Sequence, residues 1–187
     1  MKKFLVLFFM FFALPVCADE YNIDAYYKHY EALQPADFEY MFGIDSHQNE
    51  DYLKYNASPY PLLRTAVNFV FKGTVIPPGY YLLTPREKNG KQYVLFKQEG
   101  KVKYVIPVYD VKAVDIKFYD KYIPQPKKTW WDNVVAFGNK FVSTTSKQSK
   151  RAAIPKAYID VNQIGQDFWE VILYYGLSKY YLLFEQK

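Results

Sequence analysis

The sequence predicts an α+β fold that is mostly β: a small barrel-like antiparallel meander with peripheral helices and a C-terminal hairpin. Three observations lead there. Between residues 62 and 120, strand formers alternate with polar residues in short runs. Tight-turn dipeptides separate those runs, Asn89-Gly90 above all, because both positions tolerate positive φ. Apolar residues at helical spacing are found on either side of this region.

The first element is expected to be removed. Residues 1–18 read MKKFLVLFFMFFALPVCA. Lys2 and Lys3 precede an unbroken apolar run from Phe4 to Leu14, and Val16-Cys17-Ala18 fits a small-residue cleavage site. This is the pattern of a secretory signal peptide, too short to span a bilayer comfortably; an uncleaved N-terminal anchor is the alternative. Cys17 also admits lipid anchoring, although Val16 stands where a lipoprotein signal would carry a smaller residue. The expected location is exported, periplasmic or extracellular, and peripheral to a membrane. Cleavage after Ala18 leaves a body without cysteine and removes five of the 15 Phe but none of the 20 Tyr. The aromatic excess therefore belongs to the folded part.

Residues 19–61 form an acidic helical and irregular segment. Ile23, Tyr26, Tyr27, Tyr30 and Leu33 have helical spacing, with Asn22 as N-cap and Pro35 as the stop. A short turn over 36–42 closes at Gly43, and 44–61 reads as irregular. Residues 62–120 form the meander. Its strands are expected at Thr65–Lys72, Tyr80–Thr84, Gln92–Gln98, Lys101–Tyr109 and Lys112–Phe118, with turns at Pro77-Pro78-Gly79, Asn89-Gly90 and Glu99-Gly100. Such a meander is expected to curl into a small barrel or a strongly twisted sheet, and closure would protect its edges. Residues 121–156 form a basic linker carrying an amphipathic helix from Thr129 and a mobile loop, Ser143–Arg151. Residues 157–187 form a short strand and a hairpin, Phe168–Tyr175 with Lys179–Glu185, packed on the meander. A single helix over 168–185 is the competing reading, disfavoured by Gly176 and the β-branched and aromatic content.

Charge follows these divisions. Net charge is −7 over residues 19–58, +5 over 59–120, +7 over 121–156 and −2 over 157–187. Either the basic part presents a surface to anionic partners, or the acidic N-terminal segment packs beside it.

The chain contains no Gly-x-Ser-x-Gly, phosphate loop, dinucleotide fingerprint or His-Glu-x-x-His motif. A Ser-His-Asp arrangement would need His29 or His47. Asp45, His47, Asn49 and Asp51 alternate as metal ligands might on an extended loop, but Glu50 and Asn56 stand where a calcium loop needs Gly and Glu. Glu39, Asp110 and Asp115 are available as paired carboxylates without distinctive spacing. No cofactor or metal is implied.

Binding is the better expectation. The segment 127–151 combines Lys127, Lys128, Trp130, Trp131, Lys140, Lys147, Lys150 and Arg151 with an apolar helical face. Interfacial helices have this makeup; a helix lying on the sheet has it too. The sequence thus points to an exported, non-catalytic envelope protein that binds a protein partner, a membrane surface or an anionic envelope polymer. A small extracytoplasmic hydrolase acting on glycan or peptide is the alternative, and a subunit that completes its own sheet by pairing with another protein's edge strand is a third. Export argues against nucleic acid as the partner.

Overall fold

The computed structural model describes residues 22–123 and 151–186. Over these residues the protein is mostly β, built from two antiparallel sheets with few helices. The first sheet has the order β1 (Leu62–Thr65), β4 (Gly79–Lys88), β5 (Lys91–Gln98), β6 (Lys101–Pro107). The second has the order β3 (Thr74–Ile76), β2 (Phe69–Phe71), β10 (Ser178–Glu185), β9 (Phe168–Tyr175), β8 (Ala157–Ile164). β7 (Asp110–Ala113) also pairs with β10. Three α-helices are present among the described residues: α1 (Ile23–Ala32), α2 (Gln48–Lys54) and α3 (Ile116–Tyr122).

The core follows from strand alternation. Tyr81 and Leu83 on β4, Val94 and Phe96 on β5, and Ile106 on β6 turn inward from the first sheet. Val171 and Leu173 on β9, with Leu182 and Phe184 on β10, turn inward from the second. Phe184 joins the two: it stacks on Phe69 at 4.8 Å between ring centroids and meets Phe96 edge-on at 6.0 Å. The other face of the second sheet is covered by helices. Phe118 of α3 stacks on Tyr174 at 4.3 Å, and the Tyr119 hydroxyl donates to the Gly176 carbonyl at 2.8 Å. Tyr27 and Tyr30 of α1 pack on Phe168 at 4.9 and 5.4 Å.

The adjacent tyrosines divide between faces, as period-two alternation requires. Tyr81 is fully buried while Tyr80 is exposed. Tyr180 packs on the main core and Tyr181 on the cluster beneath α3.

Several expectations hold. Asn22 caps α1, accepting from the Ala25 amide at 3.3 Å. Asn89-Gly90 and Glu99-Gly100 all have positive φ and close the β4–β5 and β5–β6 hairpins. The C-terminal hairpin forms as β9 and β10.

Others are corrected. No closed barrel exists among the described residues, because the expected meander is shared between two sheets. The strand expected over 65–72 breaks at Ala66-Val67. Thr65 Oγ donates to the Val67 carbonyl at 2.8 Å and accepts from its amide at 3.2 Å. This local hydroxyl turn competes with the ladder and sends β1 and β2 to different sheets. Lys72-Gly73, both at positive φ, then makes an additional hairpin between β2 and β3. The strand expected over 112–118 stops at Ala113, because Asp115 caps a helix by accepting from the Lys117 amide at 2.9 Å. The region expected to be irregular, 44–61, contains α2, with Glu50 and Asp51 in its first turn. β8 runs over Ala157–Ile164, longer than the Ala157–Val161 strand the sequence predicts at the start of this segment. The helix expected from Thr129 and the loop after it lie outside the described residues, apart from Arg151.

Thr65→Val removes both bonds of the sheet-switching turn while keeping its volume. It is expected to cost about 1–2 kcal/mol in urea unfolding, and an unchanged midpoint would contradict the account of the turn.

Candidate functional site

Antiparallel pairing of Leu82 with Lys97, Thr84 with Leu95 and Arg86 with Tyr93 places Lys97, Thr84 and Arg86 on one face. It is the face turned away from Tyr81, Leu83 and Phe96. Two cations on a solvated face would be unremarkable. Here the acidic N-terminal segment covers them. Lys97 is 1% exposed and the Asp45 side chain is fully enclosed.

Asp45 accepts from Arg86 Nη2 at 2.8 Å and from Lys97 Nζ through a short contact. Arg86 Nη2 also donates to Asp51 Oδ2 at 2.6 Å. The Tyr60 hydroxyl donates to the same Asp51 oxygen at 2.8 Å, and its ring lies 4.3 Å from Lys97 Nζ. Gln48 Oε1 lies 3.4 Å from Lys97 Nζ. Asp51 and Gln48 come from α2, so the helix missed in the sequence supplies part of the cluster.

The ionisation states follow from these contacts. Burial pushes the Asp45 carboxyl up, but hydrogen bonds from Arg86 and Lys97 outweigh it and hold the group below its ordinary value. Burial pulls the Lys97 ammonium down, and Asp45 offsets only part of this. Burial also works against the Arg86 guanidinium, yet Asp45 and Asp51 raise it well above its ordinary value. Tyr60 is held up by burial and by Asp51, so it stays a donor. Two carboxylates face two cations, and the cluster is neutral as a unit.

That geometry fits a lock better than a reaction centre. Asp45 and Asp51 share one guanidinium, so neither is available as a free base. Ser46, His47 and Asp45 lie together, but not as a triad. Ser46 Oγ at 3.3 Å and Asp45 Oδ1 at 3.9 Å both approach Nδ1 of His47, so no relay runs across the ring. The alternation of Asp45, His47, Asn49 and Asp51 does not gather ligands, since both aspartates turn to Arg86. No group of three or more acidic, His or Cys side chains among the described residues is placed to hold a metal.

A second buried polar pair lies on the second sheet. The Tyr109 hydroxyl donates to Glu170 through a short contact, and burial and that carboxylate push the phenol far above its ordinary range. The His29 ring of α1 lies 5.1 Å from the Tyr109 ring, tilted by 33°, so α1 contacts this pair. A cleft of about 360 Å³ opens beside it, lined by Leu33, Gln92, Tyr93, Pro107, Tyr109 and Asp110. Its one carboxylate, Asp110, is paired with Lys112 at 3.0 Å. Asp115 caps α3, and Glu39 lies in the N-terminal segment, so the three candidate carboxylates do not converge on this cleft.

Of the residues expected to bind a partner, Lys127, Lys128, Trp130, Trp131, Lys140, Lys147 and Lys150 lie outside the described residues. Arg151 is exposed on the approach to β8. The ionic cluster was signalled only by the opposed charge blocks, whose second reading, acidic segment beside basic sheet, is the arrangement seen. An exposed feature was not anticipated. Met41, Phe42 and Ile44 are 77%, 82% and 59% exposed around a single 3-10 turn, Met41–Gly43.

No protein family, curated protein or solved structure matches this chain.

Asp45→Asn leaves Lys97 buried without a counter-charge and is expected to destabilise the fold by about 3–5 kcal/mol. Joint replacement, Asp45→Leu with Lys97→Met, is expected to cost less than the sum of the single changes. Additive costs in chemical denaturation would contradict direct coupling. Because the folded Asp45 carboxyl sits below its ordinary value of 3.8, its contribution is complete above that pH. It is lost as pH falls from there through the lower folded value. Asp45→Asn should flatten this acid limb of the stability profile. The buried Thr84 hydroxyl has no hydrogen-bond partner among the described residues. Thr84→Val is therefore expected to be neutral or to stabilise by about 1 kcal/mol, and a clear loss on thermal unfolding would refute this.

Proposed function

We propose that this chain is an exported, non-catalytic envelope protein that binds a protein partner, a membrane surface or an anionic envelope polymer. The observation that carries this reading is the exposed apolar turn at Met41–Ile44. Apolar side chains of that size are normally withdrawn from water, and clusters left outside mark contact sites. This turn is fixed in place: Asp45, the next residue, is buried between Arg86 and Lys97. A fixed apolar projection suits a surface that engages something.

The sequence supports the same reading. Residues 1–18 have the pattern of an export signal. The segment carrying Lys127, Lys128, Trp130, Trp131, Lys140, Lys147, Lys150 and Arg151 is a second candidate contact, with its cations suited to anionic groups. No helix among the described residues is long and apolar enough to cross a membrane, and on this reading attachment is peripheral.

Fractionation tests the proposal. A C-terminally tagged full-length chain is expected in the envelope or extracellular fraction, shortened by about the length of residues 1–18. Deleting residues 2–18 should leave it inside the cell. A full-length chain found uncleaved in the cytoplasm would overturn the reading.

A further inference from the structure

The turn Met41–Ile44 has a backbone that works against hiding its side chains. Phe42 adopts φ 54°, ψ 22°, a left-handed conformation that a bulky residue rarely takes. Gly43 follows at φ 69°. A Cβ at Gly43 would lie 3.1 Å from the Val102 carbonyl oxygen and 3.4 Å from Lys101 Cβ, so the glycine lets the turn press directly on β6. The amides of Gly43 and Ile44 bond back to the Tyr40 and Met41 carbonyls at 2.9 and 3.1 Å. With β6 behind it and the Asp45 lock after it, the turn directs Met41 and Phe42 outward. Strain is thus retained where it exposes apolar surface rather than where it buries it.

Two lysines of β6 lie beside the turn, together with Glu39 and Glu99. Lys101 is exposed against the turn and makes no ion pair among the described residues. Lys103, two residues along β6, is exposed and meets Glu99 only at 4.0 Å. Apolar side chains projecting from one turn and flanked by lysines match the layering of a bilayer surface. Apolar groups enter the acyl boundary while ammonium groups stay with phosphate.

We propose that Met41, Phe42 and Ile44 form a membrane-contacting tip. They enter the headgroup–acyl boundary of an anionic bilayer while Lys101 and Lys103 meet lipid phosphates. This deepens the reading of the chain as an envelope protein and rests on it.

The test reads the tip itself. A solvatochromic dye is attached through Phe42→Cys in a full-length Cys17→Ser background, and a control through Leu177→Cys, which is also exposed but lies in the β9–β10 turn. Vesicles of phosphatidylglycerol mixed with phosphatidylcholine are expected to shift the emission at 42 to the blue and leave 177 water-like. The shift should weaken with added salt and with vesicles of phosphatidylcholine alone. In the same labelled chain, Lys101→Gln should raise the lipid concentration needed by roughly fivefold. Replacing both Met41 and Ile44 by Ser should raise it by roughly tenfold or more, with far-UV circular dichroism and the urea midpoint matching the labelled parent. A water-like signal at 42, equal shifts at both positions, or a shift produced by envelope protein extract but not by lipid would each overturn the inference. Envelope localisation with a tip that stays in water would remove this inference alone; a cytoplasmic chain would remove the broader reading.

Discussion

A carboxylate without water around it must find counter-charge at hydrogen-bond range, and Asp45 finds two partners. Lys97 and Arg86 stand on neighbouring strands of the first sheet, on the same face with the Thr84–Leu95 pair between them. Neither is tolerable under a covering segment unless a carboxylate arrives with it. The ionic contact therefore fixes location more than it adds stability, since buried pairs offset much of their own attraction through desolvation. Asp45, Gln48, Asp51 and Tyr60 are tied to it directly. α2 lies where Asp51 and Gln48 reach the cations, Tyr60 closes over Lys97, and the 3-10 turn is pinned on β6.

Much of the fold was legible in the sequence because hairpins announce themselves locally. Asn89-Gly90, Glu99-Gly100 and the Gly176 turn need only a few residues to specify their geometry. The break between β1 and β2 was illegible for the opposite reason. Alternation of Val67, Phe69 and Phe71 suggests one strand, and only the Thr65 hydroxyl's choice of Val67 as partner divides it. Likewise, Val114, Ile116 and Phe118 alternate like a strand, yet Asp115 caps a helix there. Side-chain bonds to the backbone at one residue outvoted a pattern spread over seven.

The candidate site was legible only in outline. Opposed charge blocks implied that acidic and basic segments might meet, but not that Asp45 rather than its neighbours would be the enclosed one. That follows from Gly43, whose missing side chain brings the turn close enough to β6 for the next residue to reach Lys97. The aromatic content resolves into two packing groups. One lies between the sheets around Phe184, and the other lies beneath α3 around Tyr174. Neither requires membrane burial, and among the exposed apolar side chains those at 41, 42 and 44 are informative because they are gathered on one turn.

β10 bears on the order of assembly. One of its edges is filled by β9, and the other is divided between β7 at its start and β2 at its end. Val70 of β2 thus takes as its neighbour Glu185, more than a hundred positions later. Until that late stretch has emerged from the ribosome, β7 has no strand to join in the second sheet, and β2 has only β3, its partner in a local hairpin. Phe69 likewise has no ring to stack on. Contacts so distant in sequence slow folding. The first sheet, whose strands all lie within residues 62–107, can pair before β9 and β10 exist, so the second sheet is the part completed last.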